Sequence, residues 1–190
     1  LADHHISPNN PAPLDGIQVT WKNLPSWIGG ETDTEVVHAG TTSLRVADDS
    51  PTAAASAVFH AQIPIADQGV KLSFWYRTHQ PGHRFLATLA HHDARGRWMS
   101  GRNNDLVVAG DGTWQHYERT VTQFPAGAKS LTITLRATEW REDGALTGSV
   151  WFDDVSLIDV PSGTERLIDG GFEAVAQQIR EHPLVEAEAD

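Results

Sequence analysis

Short segments in which apolar and polar residues alternate recur along most of this 190-residue chain, with turn-forming residues between them. In the clearest example, residues 130–140, Leu131, Ile133 and Leu135 alternate with polar residues. Such segments return about every 8–12 residues between residues 41 and 160, and no helical period is present before residue 170. Because the side chains of a strand point alternately to its two faces, this pattern predicts an all-β fold, an antiparallel sandwich or barrel.

The alternating segments form one predicted domain, residues 17–160, and the sequence on either side of it is different in kind. Residues 1–16 contain three prolines and no periodicity, which indicates a linker or an arm laid over the domain. Residues 161–190 form a tail, in which residues 173–181 predict a short C-terminal helix that ends near Pro183.

Charge is distributed unevenly along the chain, and this distribution bears on which classes of ligand the protein can bind. The formal net charge is −11, yet residues 71–136 carry nine basic and four acidic residues, a balance of +5. The overall acidity argues against a nucleic-acid partner, whereas the basic middle part is compatible with an anionic ligand bound locally. No uncharged apolar run approaches the roughly 18 residues of a membrane-spanning helix, so we expect no membrane insertion.

Five segments occur in an order that is moderately specific as a set. They are HAGTTSLRV (38–46), KLSFWYRT (71–78), HHDARGRW (91–98), GTWQHYERTVTQFP (112–125) and GSVWFDDVSLIDV (148–160). This order resembles the jelly-roll carbohydrate-binding modules of families 4, 9 and 22, over residues 35–160. The resemblance implies a jelly-roll β-sandwich without catalytic activity that binds a polysaccharide on a concave face or at loop ends. It also implies that the module is attached to a secreted multidomain enzyme, extracellular or periplasmic, and that it targets this enzyme to the polysaccharide.

Two other classes of function stay open beside a binding module. One is a jelly-roll polysaccharide lyase or a hydrolase, and the other is a structural or adhesion module. The segment QHYER (115–119) has the residue types of a lyase site, but His116 and Tyr117 point to opposite faces of a strand. A glycoside hydrolase needs two carboxylates across a cleft, and the middle strands offer only Glu118 and Glu139.

The sequence departs from the resembled family at its start. The opening motif of that family, a strand that ends in glycine-phenylalanine-glutamate, is matched here near the other end, by RLIDGGFE (166–173). Two interpretations stay open: a permuted strand of this domain, or the beginning of a following domain. The resemblance also implies a structural calcium ion, held by an acidic residue of FDDVSL and by the glutamate of the opening motif, which gives Asp153, Asp154 and Glu173 as candidates. Calcium prefers such oxygen ligands.

Tryptophan and arginine residues on polar strand faces are the candidates for sugar binding, because sugar rings stack on indoles and polar neighbours bind their hydroxyl groups. We predict one face that carries Trp75, Arg77, Arg136 and Trp140, with Arg84 extending it. Trp98, near a turn, is a further candidate at a loop end. The planar guanidinium group of arginine suits a carboxylate or sulfate, so an anionic polysaccharide is the preferred ligand.

Three further expectations concern aromatic side chains and histidine. Trp151 lies in an apolar strand and is predicted to be a core residue, whereas Trp27 lies near a turn and is a candidate for a loop-end contact, with a structural role as the favoured alternative. In His91-His92-Asp93, neighbouring side chains point apart, so a histidine pair that binds metal is disfavoured. We interpret this segment as surface histidine before a hairpin turn at residues 93–96.

Overall fold

The computed structural model describes residues 26–65, 68–141 and 146–173, and within them it contains eleven strands. The strands are β1 (Trp27–Ile28), β2 (Glu31–Asp33), β3 (Ser43–Asp48), β4 (Ser56–Phe59), β5 (Ile63–Pro64), β6 (Val70–Thr78), β7 (Pro81–His92), β8 (Asn104–Asp111), β9 (Gln115–Val121), β10 (Ser130–Arg136) and β11 (Gly148–Asp159). The predicted N-terminal arm and C-terminal helix lie outside the described residues.

The strands form two antiparallel sheets, so the prediction of an all-β sandwich is confirmed. Sheet A has the order β1-β4-β10-β7-β8, with β5 also paired to β10. Sheet B has the order β2-β3-β11-β6-β9. Consecutive strands often lie in different sheets, and β6 and β7 are the clearest case, because the chain changes sheet at residues 79–80 between them.

The core lies between the two sheets and is built from the apolar face of each alternating strand. In β10 the side chains of Leu131, Ile133 and Leu135 are buried, as the sequence pattern predicts. At the centre, Phe74 and Phe152 of sheet B contact Phe85 of sheet A, with ring centroids 5.3–6.2 Å apart. Edge-to-face contacts of this kind add to the burial of apolar area, which is the main stabilising contribution.

Two tryptophans lie where the sequence analysis did not place them. Trp27, a candidate loop-end contact, is fully buried and packs against Phe59, because β1 pairs with β4 at the edge of sheet A. Trp151, predicted to be a core residue, lies on the outer face of sheet B, where its ring Nε1 donates to Asp33 and the Arg45 guanidinium lies over its ring. The core prediction for Trp151 was wrong and the loop-end role of Trp27 is not present, because both assignments depend on pairings between distant strands.

The segment RLIDGGFE packs onto this sandwich beside β11. The backbone N–H of Arg166 donates to the carbonyl of Leu157, and that of Val155 donates to the carbonyl of Gly170, both at 2.8 Å. Phe172 is fully buried, and its ring centroid lies 5.6 Å from that of Trp27. Of the two interpretations of this segment, these contacts favour the one in which it is part of the same domain.

His91 is buried in the core, so the interpretation as a surface histidine is wrong for it. Its side chain lies on the same face of β7 as Leu89, it packs edge-to-face against Phe124, and its Nε2 donates to the amide oxygen of Asn104 at 2.6 Å. Its Nδ1 has no hydrogen-bond partner among the described residues. Burial lowers the pKa of His91, because the cationic form would lose its hydration, and the bond to Asn104 only partly opposes this effect.

We predict that Phe172→Ala destabilises the domain by about 3–5 kcal/mol, because the substitution leaves a cavity between this segment and the core. Urea denaturation of the whole chain measures the change. Ile168→Ala is the matched control in the same segment, since Ile168 is 73% exposed and its loss should change stability by no more than about 0.5 kcal/mol. Equal stability of Phe172→Ala and the parent chain would show that residues 164–173 do not contribute to the domain.

We also predict that the free energy of unfolding falls as the pH is lowered from about 7 to about 5. The pKa of His91 in the folded protein is lowered from the 6.5 of an unperturbed histidine, and burial lowers that of His83 in the same way. The unfolded chain therefore binds more protons in this window, and stability is lost as the pH falls below 6.5 toward the folded-state value. In His91→Gln the slope of stability against pH should be smaller, whereas parallel slopes would contradict this account.

Candidate functional site

The outer face of sheet A forms a groove of about 580 Å³. Its floor consists of the outward side chains of β7 and β10, most of them polar or small, which alternate with core residues. The register places Thr134 beside Thr88 and Arg136 beside Leu86, so the floor is continuous across the two strands. From Leu86 to His92 the floor follows β7 for six residue steps, which is about 20 Å at the rise of a strand. The lining side chains are those of Leu86, Thr88, Ala90, His92, Trp98, Asn103, Asp105, Thr132, Thr134, Arg136 and Trp140.

An exposed tryptophan stands at each end of the groove. Trp98 pairs through its backbone with His92 at one end, and its side chain is 55% exposed. The N–H of Glu139 donates to the carbonyl of Arg84, which brings the next residue, Trp140, to the other end. Trp140 is 66% exposed. Two exposed tryptophans on one concave surface are typical of a ligand-binding face.

A tight hairpin turn positions Trp98. Gly96 donates its backbone N–H to the carbonyl of Asp93, and Asp93 donates to the carbonyl of Arg97, each at 2.9 Å. The Asp93 carboxylate accepts two hydrogen bonds from the Arg97 guanidinium, at 2.8 and 3.0 Å, and these bonds hold the pKa of Asp93 below its usual value. The indole Nε1 of Trp98 donates to Asn103 at 3.1 Å. The turn predicted at residues 93–96 is therefore present, and it orients a groove residue.

Polar groups on the groove floor are partly bonded to each other and partly open. The Thr88 hydroxyl donates to Oδ1 of Asp105 at 2.8 Å, and Nε2 of His92 lies 3.2 Å from the Thr132 hydroxyl oxygen. Arg136 lines the groove, and among the described residues no carboxylate forms an ion pair with it. The groove thus offers hydroxyl groups, one open cation and one carboxylate beside its two indoles.

The single binding face predicted from the sequence is wrong in its composition. Trp75 and Arg77 lie on β6 in sheet B, whereas Arg136 and Trp140 lie on sheet A, so the two pairs are on opposite outer faces of the sandwich. The His38 ring covers the indole of Trp75 in a stacked arrangement, with ring centroids 3.9 Å apart. The Nε of Arg77 donates to the carbonyl of Gly112.

The other predicted sugar-binding residues fall on or beside the groove. Arg136, Trp140 and Trp98 line it. Arg84 lies next to its Trp140 end, on the same strand as the floor residues, and is paired with Glu139 at 3.0 Å. Whether each of these side chains contacts a sugar stays a prediction.

The candidate metal ligands surround one loop, residues 38–42, on the sheet B side. Oδ2 of buried Asp153 accepts the backbone N–H groups of His38 and Ala39, both at 3.0 Å. Oε1 of Glu173 accepts the N–H groups of Thr41 and Thr42 at 2.7 and 3.0 Å. Loop 38–42 is therefore held to the sandwich by two carboxylates from distant parts of the chain.

The two carboxylates that hold loop 38–42 have shifted pKa values of opposite sign. Burial raises the pKa of Asp153, and the neighbouring negative charge of Asp154 raises it further, while N–H donors from the loop oppose both effects. Burial alone would also raise the pKa of Glu173, but the hydrogen bonds from Thr41 and Thr42 outweigh it and lower that pKa. A cation beside Asp153 and Asp154 would relieve their mutual repulsion.

The chemistry of these oxygen donors suits calcium, but their geometry limits how many can serve it. Oδ2 of Asp153 and Oε1 of Glu173 each accept two N–H donors, while Oδ1 of Asp153 accepts the N–H of Asp154 and Oε2 of Glu173 accepts the Thr41 hydroxyl. The Asp154 carboxylate, whose Oδ2 lies 3.3 Å from Nδ1 of His38, is the least engaged of the three. Among the described residues, no three histidine, cysteine, aspartate or glutamate side chains are grouped so that they could hold a metal. An ion here would need backbone or water oxygens as well, and the calcium site stays a prediction.

Among the groove residues that were not predicted from the sequence, strand alternation could have found Asp105. Asp105 and Asn103 line the groove next to Trp98. In β8, Leu106 and Val108 are buried, so Asp105 must lie on the outer face. Alternation does not predict that Asp105 pairs with Thr88 of β7, and this pairing is what brings Asp105 to the groove.

No protein-family model matches the sequence, and no curated protein matches it significantly. Solved structures do match. The enzymatically active domain of tailspike protein 4 from bacteriophage CBA120 is 17% identical with a TM-score of 0.54, and the match covers 72% of this chain and 20% of that one. A family 30 carbohydrate-binding module is 13% identical (TM-score 0.51; 76% and 80% covered). The family 11 module from Clostridium thermocellum is 14% identical (TM-score 0.50; 74% and 93% covered).

These matches show the fold alone. The chain spans only about a fifth of the tailspike domain that it matches, but most of the length of the two carbohydrate-binding modules. The jelly-roll fold expected from the sequence is thus the fold of carbohydrate-binding modules, at identities too low to assign a particular family. In the described part of the chain, no helix has the length and apolarity needed to cross a membrane.

Proposed function

We propose that this protein is a non-catalytic module that binds a polysaccharide in the groove between Trp98 and Trp140. The observation that carries the proposal is the pair of exposed indoles at the two ends of a groove about 20 Å long. Each indole can stack on the apolar face of a sugar ring, and the threonine hydroxyls between them can bind sugar hydroxyl groups. The length of the floor favours a stretch of polymer over a single sugar.

The composition of the groove favours binding over catalysis. Among the described residues that line it, the carboxylate is that of Asp105, and general acid–base cleavage of a glycosidic bond uses two carboxylates. Glu139, the nearest candidate for a second one, is bonded to Arg84. The similarity to an enzymatically active tailspike domain keeps a catalytic function as the alternative, and the binding experiment below tests it through the release of products.

We further propose that the ligand is anionic and that the module belongs to a secreted multidomain enzyme, which it directs to the polymer. Arg136 supports the first part, because its open guanidinium lies in the groove beside Trp140 and can bind a carboxylate or sulfate in a bidentate manner. Support for the second part is the resemblance in sequence and the fold shared with the carbohydrate-binding modules of families 11 and 30. No nucleic acid or membrane is part of this proposal.

We predict that Trp140→Ala and Trp98→Ala each weaken retention of the protein in polysaccharide affinity gels by at least about tenfold, or 1.4 kcal/mol, because each removes a stacking surface. The control is Ile168→Ala, an exposed apolar residue that lies outside the groove. Gels with neutral and anionic polymers, run at low and high salt, report the contribution of charge, since salt weakens binding to an anionic chain.

Three outcomes of this experiment would contradict the proposal. The first concerns Trp75→Ala, a variant on the opposite face that is measured alongside the others. Retention lost in Trp75→Ala but kept in Trp140→Ala would place the ligand on the outer face of sheet B. Soluble sugars released from the gel would favour a lyase or hydrolase. The absence of retention by every polymer would favour a structural or adhesion module.

We also propose one structural calcium ion at the Asp153–Asp154–Glu173 side of loop 38–42. Its support is the oxygen-only donor set and the repulsion between two adjacent carboxylates, one of them buried. Calcium bound there would add to the hydrogen bonds that already hold the loop.

We predict that a chelator lowers the melting temperature and that added calcium restores it, because an ion that binds only the folded state stabilises that state by mass action. Asp154→Asn should reduce the response to calcium, since it removes one carboxylate and leaves the N–H bonds accepted by Asp153 and Glu173 in place. Identical melting temperatures in chelator and in calcium, with no metal in the purified protein, would remove the ion from the proposal.

A further inference from the structure

Two opposite charges lie across the groove from each other. Arg136 is on β10 beside Leu86, and Asp105 is on β8 beside Thr88, so β7 separates them. With strands about 4.8 Å apart and a rise of about 3.4 Å per residue, their Cα atoms are about 12 Å apart. The cation lies toward the Trp140 end, and the carboxylate is shifted by two residue steps toward Trp98.

Neither charge is neutralised by another charge of the protein, as far as the described residues show. Arg136 has no carboxylate within ion-pair distance, and Asp105 has no cation. Two other arginines near the groove, Arg84 of β7 and Arg97 of the hairpin after it, are each paired with a carboxylate. A ligand that lies along the groove would meet both of these open charges.

Asp105 is well suited to a neutral sugar. Its Oδ1 accepts the Thr88 hydroxyl, its Oδ2 is without a hydrogen bond in the described part of the chain, and the residue is exposed. A carboxylate accepts hydrogen bonds from hydroxyl groups and repels another carboxylate or sulfate. An anionic sugar would thus be favoured beside Arg136 and disfavoured beside Asp105.

We infer that the groove selects a sparsely charged polysaccharide, with an anionic sugar held by Arg136 at the Trp140 end and neutral sugars over Asp105. A polymer with a charge on every sugar has to place one of its anions near Asp105, because the chain runs along the whole floor. A neutral polymer leaves Arg136 without a partner. The inference rests on the proposed function. It adds the charge density of the polysaccharide and its orientation in the groove, with the anionic sugar at the Trp140 end.

The test compares polymers that differ in charge density and not in backbone. Glucan, xylan and galactan are each prepared neutral, with a few sugars carboxymethylated, and with nearly all sugars carboxymethylated. Affinity electrophoresis of the whole chain at low salt then gives a dissociation constant for each polymer. We expect one backbone to be preferred and, within it, the sparsely charged form to bind about tenfold more tightly than the neutral form, the gain typical of a hydrogen bond to a charged group.

Two charge-neutralising variants assign the effect to its residues. Asp105→Asn keeps an acceptor for the Thr88 hydroxyl, and it should improve binding of the densely charged polymer about fivefold, so that the preference for the sparsely charged form over the densely charged one becomes smaller. Arg136→Gln should bring the sparsely charged polymer down to the affinity of the neutral one. Unchanged melting temperatures of both variants ensure that folding is not the cause.

The possible results separate this inference from the proposed function. Binding that rises steadily with charge density, or that does not respond to Asp105→Asn, overturns the inference and leaves the polysaccharide-binding module intact. Binding that is independent of the charge density of the polymer, but is lost in Trp140→Ala, likewise overturns the inference and leaves the polysaccharide-binding module intact. If no polymer of any backbone is retained, the proposed function fails and the inference fails with it.

Discussion

Burial of apolar side chains between the two sheets is the interaction on which the rest of this structure depends. Phe74, Phe85 and Phe152 meet at its centre, and each comes from a strand whose alternate residues are also apolar. The same alternation that buries one side of a strand determines what lies on its other side. Because packing of the inner face fixes the position of a strand, it also fixes the spacing of the side chains on the outer face.

The groove follows directly from this arrangement. Its threonines and Arg136 are the outward residues of β7 and β10, which are the inner strands of sheet A and pair over seven residues. The two indoles come from outside these strands, one from the hairpin after β7 and one from the chain that leaves β10. The central strands thus provide a rigid polar floor, and the connecting segments provide the stacking surfaces at its ends.

Much of this could be predicted from the sequence, and the failures have a common origin. Alternation in β10 correctly predicts that Leu131, Ile133 and Leu135 are core residues. The same rule, applied from Leu89 along β7, would have predicted that His91 is buried. Alternation assigns a residue to one of two faces, but it does not say which sheet a strand joins. For that reason Trp75 and Arg136, both outward residues, were placed on one surface, although β6 and β10 lie in different sheets.

The pairing of segments far apart in the chain is the other kind of information that local patterns lack. Trp27 is buried because β4 and Phe172 cover it, and neither is near it in sequence. Asp153 faces outward with Trp75, yet it is fully buried beneath loop 38–42, and the bulge in β11 at the next residue, where Asp154 has a φ of 48°, breaks the regular alternation. Alternation along β11 takes no account of a bulge or of a covering loop, so it could not predict that Asp153 is buried.

The hairpin at residues 93–97 has a consequence for the thermodynamics of ligand binding. Its arginine–aspartate fork, its turn bonds and the bond from the Trp98 indole to Asn103 already restrict the motion of this tryptophan in the free protein. Ordering a large side chain on binding costs conformational entropy, and here that cost is met during folding. A sugar that stacks on Trp98 would therefore lose its own freedom of motion while requiring little further ordering of the protein.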